Sequence, residues 1–227
     1  MRKLKTDDKE QKAEDSINTD YYGVNPMKTN FLNFMICLTG MVMLVSCASS
    51  PASFYTLNAV ENTTATPSPS VGVAVETVSI PESIDRPQMV LQKGTNEVRV
   101  DELNRWAASP KDVIQRVVME NLSHLLGTSR VYRYLPGPIT SSDYRVEIEV
   151  LRFDATLGQG TFLDAIWTIR KGDREETKTG RTTSPQKAAD QSYQALAAAH
   201  SQALGVLSRD MAKAIQSLEQ QKGAANT

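Results

Sequence analysis

Between residues 110 and 126 apolar side chains recur at helical spacing: Val113, Ile114, Val117, Val118, Leu122, Leu125 and Leu126 form one stripe, as in an amphipathic helix laid against a core. Ser109 and Pro110 supply a cap and a proline at the first helical position, Asp112 puts negative charge in the first turn, and Gly127 offers a stop. A second helix is predicted from the similar Ser184-Pro185 start to about Leu218. Its stripe runs Tyr193, Leu196, His200, Leu204, Leu207, Met211, Ala214 and Leu218, and Ala197, Ala198 and Ala203 make it thin enough for close packing.

Elsewhere the period is two. Val71, Val73 and Val75 lead through Val78 to Ile80 and stop at Pro81, which predicts a strand. The segment from Pro81 to Pro87 is closed by proline at both ends and reads as a loop. Residues 88–92 and 97–100 flank Lys93-Gly94-Thr95-Asn96 as a hairpin, and residues 129–134 form a short strand. Tyr144, Val146, Ile148 and Val150 alternate with Arg145, Glu147 and Glu149, giving a strand with one wet face. Residues 161–170 and 174–182 continue as an antiparallel meander with a polar edge. The expected fold is α+β: a single domain over residues 71–218, with an antiparallel or mixed β-sheet covered by two α-helices and a frayed tail at 219–227.

Ahead of this domain, residues 31–45 are uncharged and mostly apolar and end in Leu44-Val45-Ser46-Cys47. Fifteen helical residues rise about 22 Å, short of the roughly 30 Å hydrocarbon core. With Lys28 as the basic flank the run reads as a signal peptide, and its last four residues resemble the lipobox of diacylglyceryl-modified lipoproteins. Cys47 is then the lipidated first residue of the mature chain, held on a bilayer by acyl chains of the palmitate kind. A signal anchor with an incidental cysteine is the alternative and also leaves the domain outside the cytoplasm. Residues 1–26 are polar and lack periodicity, so residues 1–46 read as an upstream extension plus signal, with Met27 as the start and a cytoplasmic tail as the alternative. Residues 47–70 read as a lipid-anchored tether, in which Phe54 to Leu57 dock as an edge strand.

Removing 46 of the 227 residues leaves 181, enough for one domain. The other cysteine, Cys37, lies in the signal, so no internal disulfide is expected. With 25 Lys and Arg against 26 Asp and Glu, and no basic stripe, nucleic acid is not an expected partner.

The run Val78-Ser-Ile-Pro-Glu-Ser-Ile-Asp-Arg-Pro-Gln-Met-Val90, together with the lipobox, Phe54-Tyr-Thr-Leu57, Trp106 and the Ser109-Pro110 helix, resembles the ABC-type transport auxiliary lipoprotein family. The resemblance is strongest to members serving the paraquat-inducible (Pqi) intermembrane transport system. It implies a non-enzymatic, periplasm-facing lipoprotein that accompanies MCE-domain proteins in moving lipids between membranes and supports membrane integrity. It also implies a homo-oligomer that engages an MCE ring. Ala48 stands where aspartate would favour inner-membrane retention, so the outer membrane is the expected location.

Possible partner-binding residues are Asp85 and Arg86, which otherwise make a local ion pair in their loop, and Trp106, which otherwise caps the core. Glu147, Glu149, Asp154 and Asp164 are the carboxylates available for acid–base or metal chemistry, and a solvated strand face is their plainer reading. His124 and His200 lack partners at metal-ligand spacing. No catalytic residue, metal or cofactor is expected. Rival readings are a structural lipoprotein assisting an outer-membrane protein and an anchored hydrolase.

Overall fold

The structure is a computed structural model that describes residues 30–31, 33–35, 50–60, 71–135, 143–171 and 177–225. The chain divides into two units, Met1–Ser50 and Pro51–Thr227. In the first, residues 30–31 and 33–35 are helical, and Cys47 lies outside the described residues.

The second unit carries eight strands and two helices among its described residues. Strands β1 (Ser53–Tyr55), β4 (Val98–Trp106) and β3 (Gln88–Gln92) form a three-stranded sheet in that order, with β1 parallel and β3 antiparallel to β4. A five-stranded sheet runs β5 (Val131–Arg133), β2 (Gly72–Val75), β6 (Asp143–Thr156), β7 (Gly160–Lys171) and β8 (Thr177–Lys187). Here β2 is parallel to both β5 and β6, and the β6–β7–β8 meander is antiparallel. The fold is therefore α+β, and the single sheet expected is two mixed sheets.

Helix α1 (Pro110–Leu126) forms where its stripe predicts, with Gly127 left-handed at its end (φ 60°). Ile114, Val117, Val118 and Leu122 are fully buried. Polar groups on the buried side have defined partners: Gln115 donates to the carbonyls of Val75 (3.1 Å) and Glu76 (2.7 Å), and Asn121 donates to Ser208 Oγ (3.4 Å) while accepting from the Val60 N–H (3.0 Å).

Helix α2 (Tyr193–Ala225) starts later than its Ser184-Pro185 signal suggests and runs past Leu218 into the segment expected to fray. Ser184 and Pro185 belong to β8, where Pro185 pairs with Phe162. An edge strand tolerates proline because one side of its backbone has no ladder to complete. The actual cap is Ser192: its Oγ accepts the Ala195 N–H (3.0 Å), while Asp190 accepts the Ser192 N–H (2.7 Å).

The inner face of the five-stranded sheet, with Tyr144, Val146, Ile148, Leu163, Ala165 and Ile169, packs on these helices. Trp167 lies flat over Gly180, where an added Cβ would come within 2.2 Å of the indole ring. Its Nε1 donates to Thr182 Oγ1 (3.1 Å), which donates to Asp210 of α2 (2.7 Å).

Candidate functional site

The chain joins the domain at β1, and the residues singled out in the sequence gather near that junction. Phe54 pairs with Arg105 and Tyr55 with Trp106, and the Ala107 N–H donates to Tyr55 O (2.8 Å). Leu57 is buried, and its carbonyl accepts from Arg116 Nη2 (2.6 Å). Asn58 N–H donates to Ser201 Oγ (3.1 Å). Residues 53–60 are thus fastened to the domain, so of the segment read as a tether at 47–70 only residues 48–52 separate Cys47 from fixed structure.

Asp85 does not pair with Arg86. Its carboxylate meets Lys111 at 2.5 Å, linking the Pro81–Pro87 loop to the first turn of α1. Arg86 Nε is buried without a hydrogen-bond partner in the protein. The Trp106 N–H donates to Pro87 O (2.6 Å), so the loop is clipped to the end of β4. The Trp106 indole is 8% exposed and meets Phe153 and His200, where it caps the core.

His200 is buried against Phe153, ring centroids 3.8 Å apart, and its Nδ1 has no hydrogen-bond partner in the protein. Burial holds its pKa down at about 3. The crevice lined by Ile84, Met89, Trp106, Phe153 and His200 has about 10 Å³ of free space, enough for one water and too little for a ligand.

The carboxylates of the meander stand on its outer face. Glu147 pairs with Arg170, Asp154 with Arg152 Nε (2.9 Å), and Asp164 with Arg181 Nε (2.8 Å) and Nη2 (2.6 Å). The Arg181 bonds, partly opposed by burial, hold the Asp164 carboxyl below its usual range. These are the diagonal and same-strand charge pairs of a solvated face. Among the described residues, no group of three or more His, Cys, Asp and Glu side chains could hold a metal, and no helix is long and apolar enough to cross a membrane.

The outer face of the three-stranded sheet differs from its sequence reading. On β3 and β4, Met89 and Leu91 point inward opposite Asp101 and Arg99, so Val98 and Val100 lie on the other side. Asp101 is only 13% exposed because Tyr193 of α2 donates to it. Burial raises its pKa, but the bonds from Tyr193, Asn104 and Leu103 outweigh this and hold it at about 2. Phe54 (64%), Val98 (52%) and Leu103 (45%) are left exposed. Alternation in residues 98–101 shows a two-faced strand but not that its charged side turns inward toward a tyrosine far along the chain.

The alanine-rich stretch of α2, thin enough for close packing, is largely used by the domain itself. Ala195, Ala197, Ala199 and Ala203 are buried, and Ala198 is exposed between exposed Gln194 and Gln202.

Two solved structures share this architecture. Protein XCC0632 from Xanthomonas campestris, of family DUF330, aligns with a TM-score of 0.60 at 18% identity over 75% of this chain and 99% of its own. A second crystal structure, of an uncharacterized protein, aligns with a TM-score of 0.60 at 18% identity over 73% and 99%. At this identity the likeness defines a fold class, two mixed sheets backed by two helices. A search of curated proteins finds no match. The sequence model for the ABC-type transport auxiliary lipoprotein component matches residues 55–212, and the chain belongs to that family. It is accordingly a membrane-anchored auxiliary lipoprotein of a transport system.

Proposed function

We propose that this chain is the periplasm-facing, outer-membrane-anchored lipoprotein of an MCE-type intermembrane lipid transport system, of the kind found in Pqi systems, with a binding and assembly role and no catalytic one. Family membership across residues 55–212 carries the reading. Support for the anchor comes from Leu44-Val45-Ser46-Cys47, and for the outer membrane from Ala48. The pairing of Glu147, Asp154 and Asp164, three of the four candidate acids, with arginines favours a binding protein over a hydrolase. The chain works as a homo-oligomer on an MCE-domain ring, each subunit meeting its neighbour through a heterologous interface.

Affinity purification of the tagged chain from solubilised membranes, with mass spectrometry of the captured proteins, tests this. An MCE-domain protein should co-purify with a chain that begins at acylated Cys47. Recovery of an outer-membrane protein without any MCE-domain protein would replace the proposal with the structural-lipoprotein reading.

A further inference from the structure

The three-stranded sheet carries exposed apolar side chains among the polar ones on its solvated face. Val98 and Val100 face outward at one end of β4, opposite Gln92 and Val90, and exposed Phe54 stands beside Arg105 at the other end, with the hydrogen-bonded side chains of Gln88, Glu102 and Arg105 between them. Arg105, beside Phe54, is tied to Glu102 at 3.3 Å.

The length of chain ahead of this face says what covers it. Cys47 and Phe54 are seven residues apart, a span of at most about 25 Å even when fully extended. Residues 53–60 are fixed by the β1–β4 ladder, by Arg116 on the Leu57 carbonyl and by Ser201 on the Asn58 amide, so that leash cannot be lengthened without breaking the domain. A chain anchored by lipid at Cys47 must therefore keep β1 within about 25 Å of the bilayer at all times. At the effective concentration such a leash imposes, one exposed aromatic and two outward valines suffice for contact.

We infer that the outer face of the β1–β4–β3 sheet is a membrane-docking surface, with Phe54, Val98 and Val100 seated at the headgroup boundary of the bilayer that holds Cys47. Arg105, beside Phe54, lies at the level of the lipid phosphates. The inference rests on the lipid anchor of the proposed function, and its test separates the two. Intact-mass analysis of the native protein decides whether Cys47 is acylated. The docking test attaches the mature chain, residues 47–227, through its only thiol, Cys47, to maleimide-bearing phosphatidylethanolamine in phosphatidylethanolamine/phosphatidylglycerol vesicles, so natural acylation is not needed.

Phe54→Trp then places a fluorophore on the face. The control is Gln216→Trp, exposed on α2 about 24 Å along the helix from His200, which sits at the level of Trp106. Buried Trp106 and Trp167 give the same background in both variants. With bromine-labelled acyl chains, the added emission of Phe54→Trp should shift to the blue and be quenched by more than half, while that of Gln216→Trp should not change. An unquenched Phe54→Trp overturns the inference, and so does equal quenching of both variants. Protection of Phe54→Trp that tracks self-association in sedimentation, and occurs equally without vesicles, would overturn it in favour of a second copy of the chain.

Discussion

On the outer face of β6, β7 and β8, Glu147 lies against Arg170, Asp164 holds Arg181, and Thr168 and Thr179 share a hydrogen bond of 3.3 Å. On the outer face of β3 and β4, Val98 and Val100 stand where such pairs would be at one end, Glu102 and Arg105 pair at the other, and Arg99 and Asp101 turn inward to Tyr193. Both sheets close over one core, and each inner face meets α2. The difference teaches that alternation along a strand marks two faces but does not say which is dry: on β6 the apolar set is inside, and on the exposed part of β4 it is outside. A polar outer face needs only water. An apolar one needs a partner.

Damage to the shared core should remove both faces together. Val117 is fully buried on α1, so Val117→Asp forces an unpaired carboxylate between helix and sheets and should cost roughly 3 kcal/mol or more, a large part of a small domain's stability. Loss of the cooperative urea transition is the expected outcome; a variant melting like the parent would place this helix face wrongly. Gly180→Val acts on the five-stranded sheet alone. Its side chain cannot coexist with the Trp167 ring, and opening that contact should lower the unfolding free energy by about 3 kcal/mol, within the range for overpacked cores.

His200, between Phe153 of β6 and Trp106 of β4, makes the core shared by the two sheets sensitive to pH. It stays neutral in the fold down to about pH 3, whereas the unfolded chain takes up its proton near 6.5. Its contribution is therefore complete above pH 6.5 and is lost as the pH falls from there toward 3, by about 2 kcal/mol at pH 5. His200→Phe, stacked in the same place on Phe153, should flatten that part of the stability profile; an unchanged slope between pH 6.5 and 4 would show that another group controls it. The smallest effect is expected on the dry outer face. Phe54→Ser and Val98→Thr each alter an exposed residue and should shift stability in solution by less than about 0.5 kcal/mol, measured by urea unfolding.

The parts legible in the sequence are those whose cause is local. Helix α1 carries its stripe, its proline start and its glycine stop within eighteen residues, Pro110 to Gly127, and the β6–β7 hairpin carries its turn at Gly158 to Gly160. What was hidden depends on distant partners. Ser184-Pro185 looks like the start of α1, and only the position of β8 at a sheet edge makes it strand. The division into two sheets follows from β1 pairing with β4 and from β2 lying between β5 and β6, contacts that leave no periodic mark. Trp106 was legible as a core cap, but its neighbours Phe153 and His200 come from two other elements. Asp85 had an adjacent arginine in the sequence, yet pairs with Lys111 because the loop folds back on α1.

Hydrogen–deuterium exchange on the mature chain, compared free and attached through Cys47 to phospholipid vesicles, puts the two outer faces side by side without any substitution. Amides in residues 51–57 and 98–106 should exchange more slowly on the vesicles, while those in 160–171 and 177–187 keep their rates. Equal rates in all four segments, or slowing confined to the charged meander, would contradict the assignment of the three-stranded sheet to the membrane.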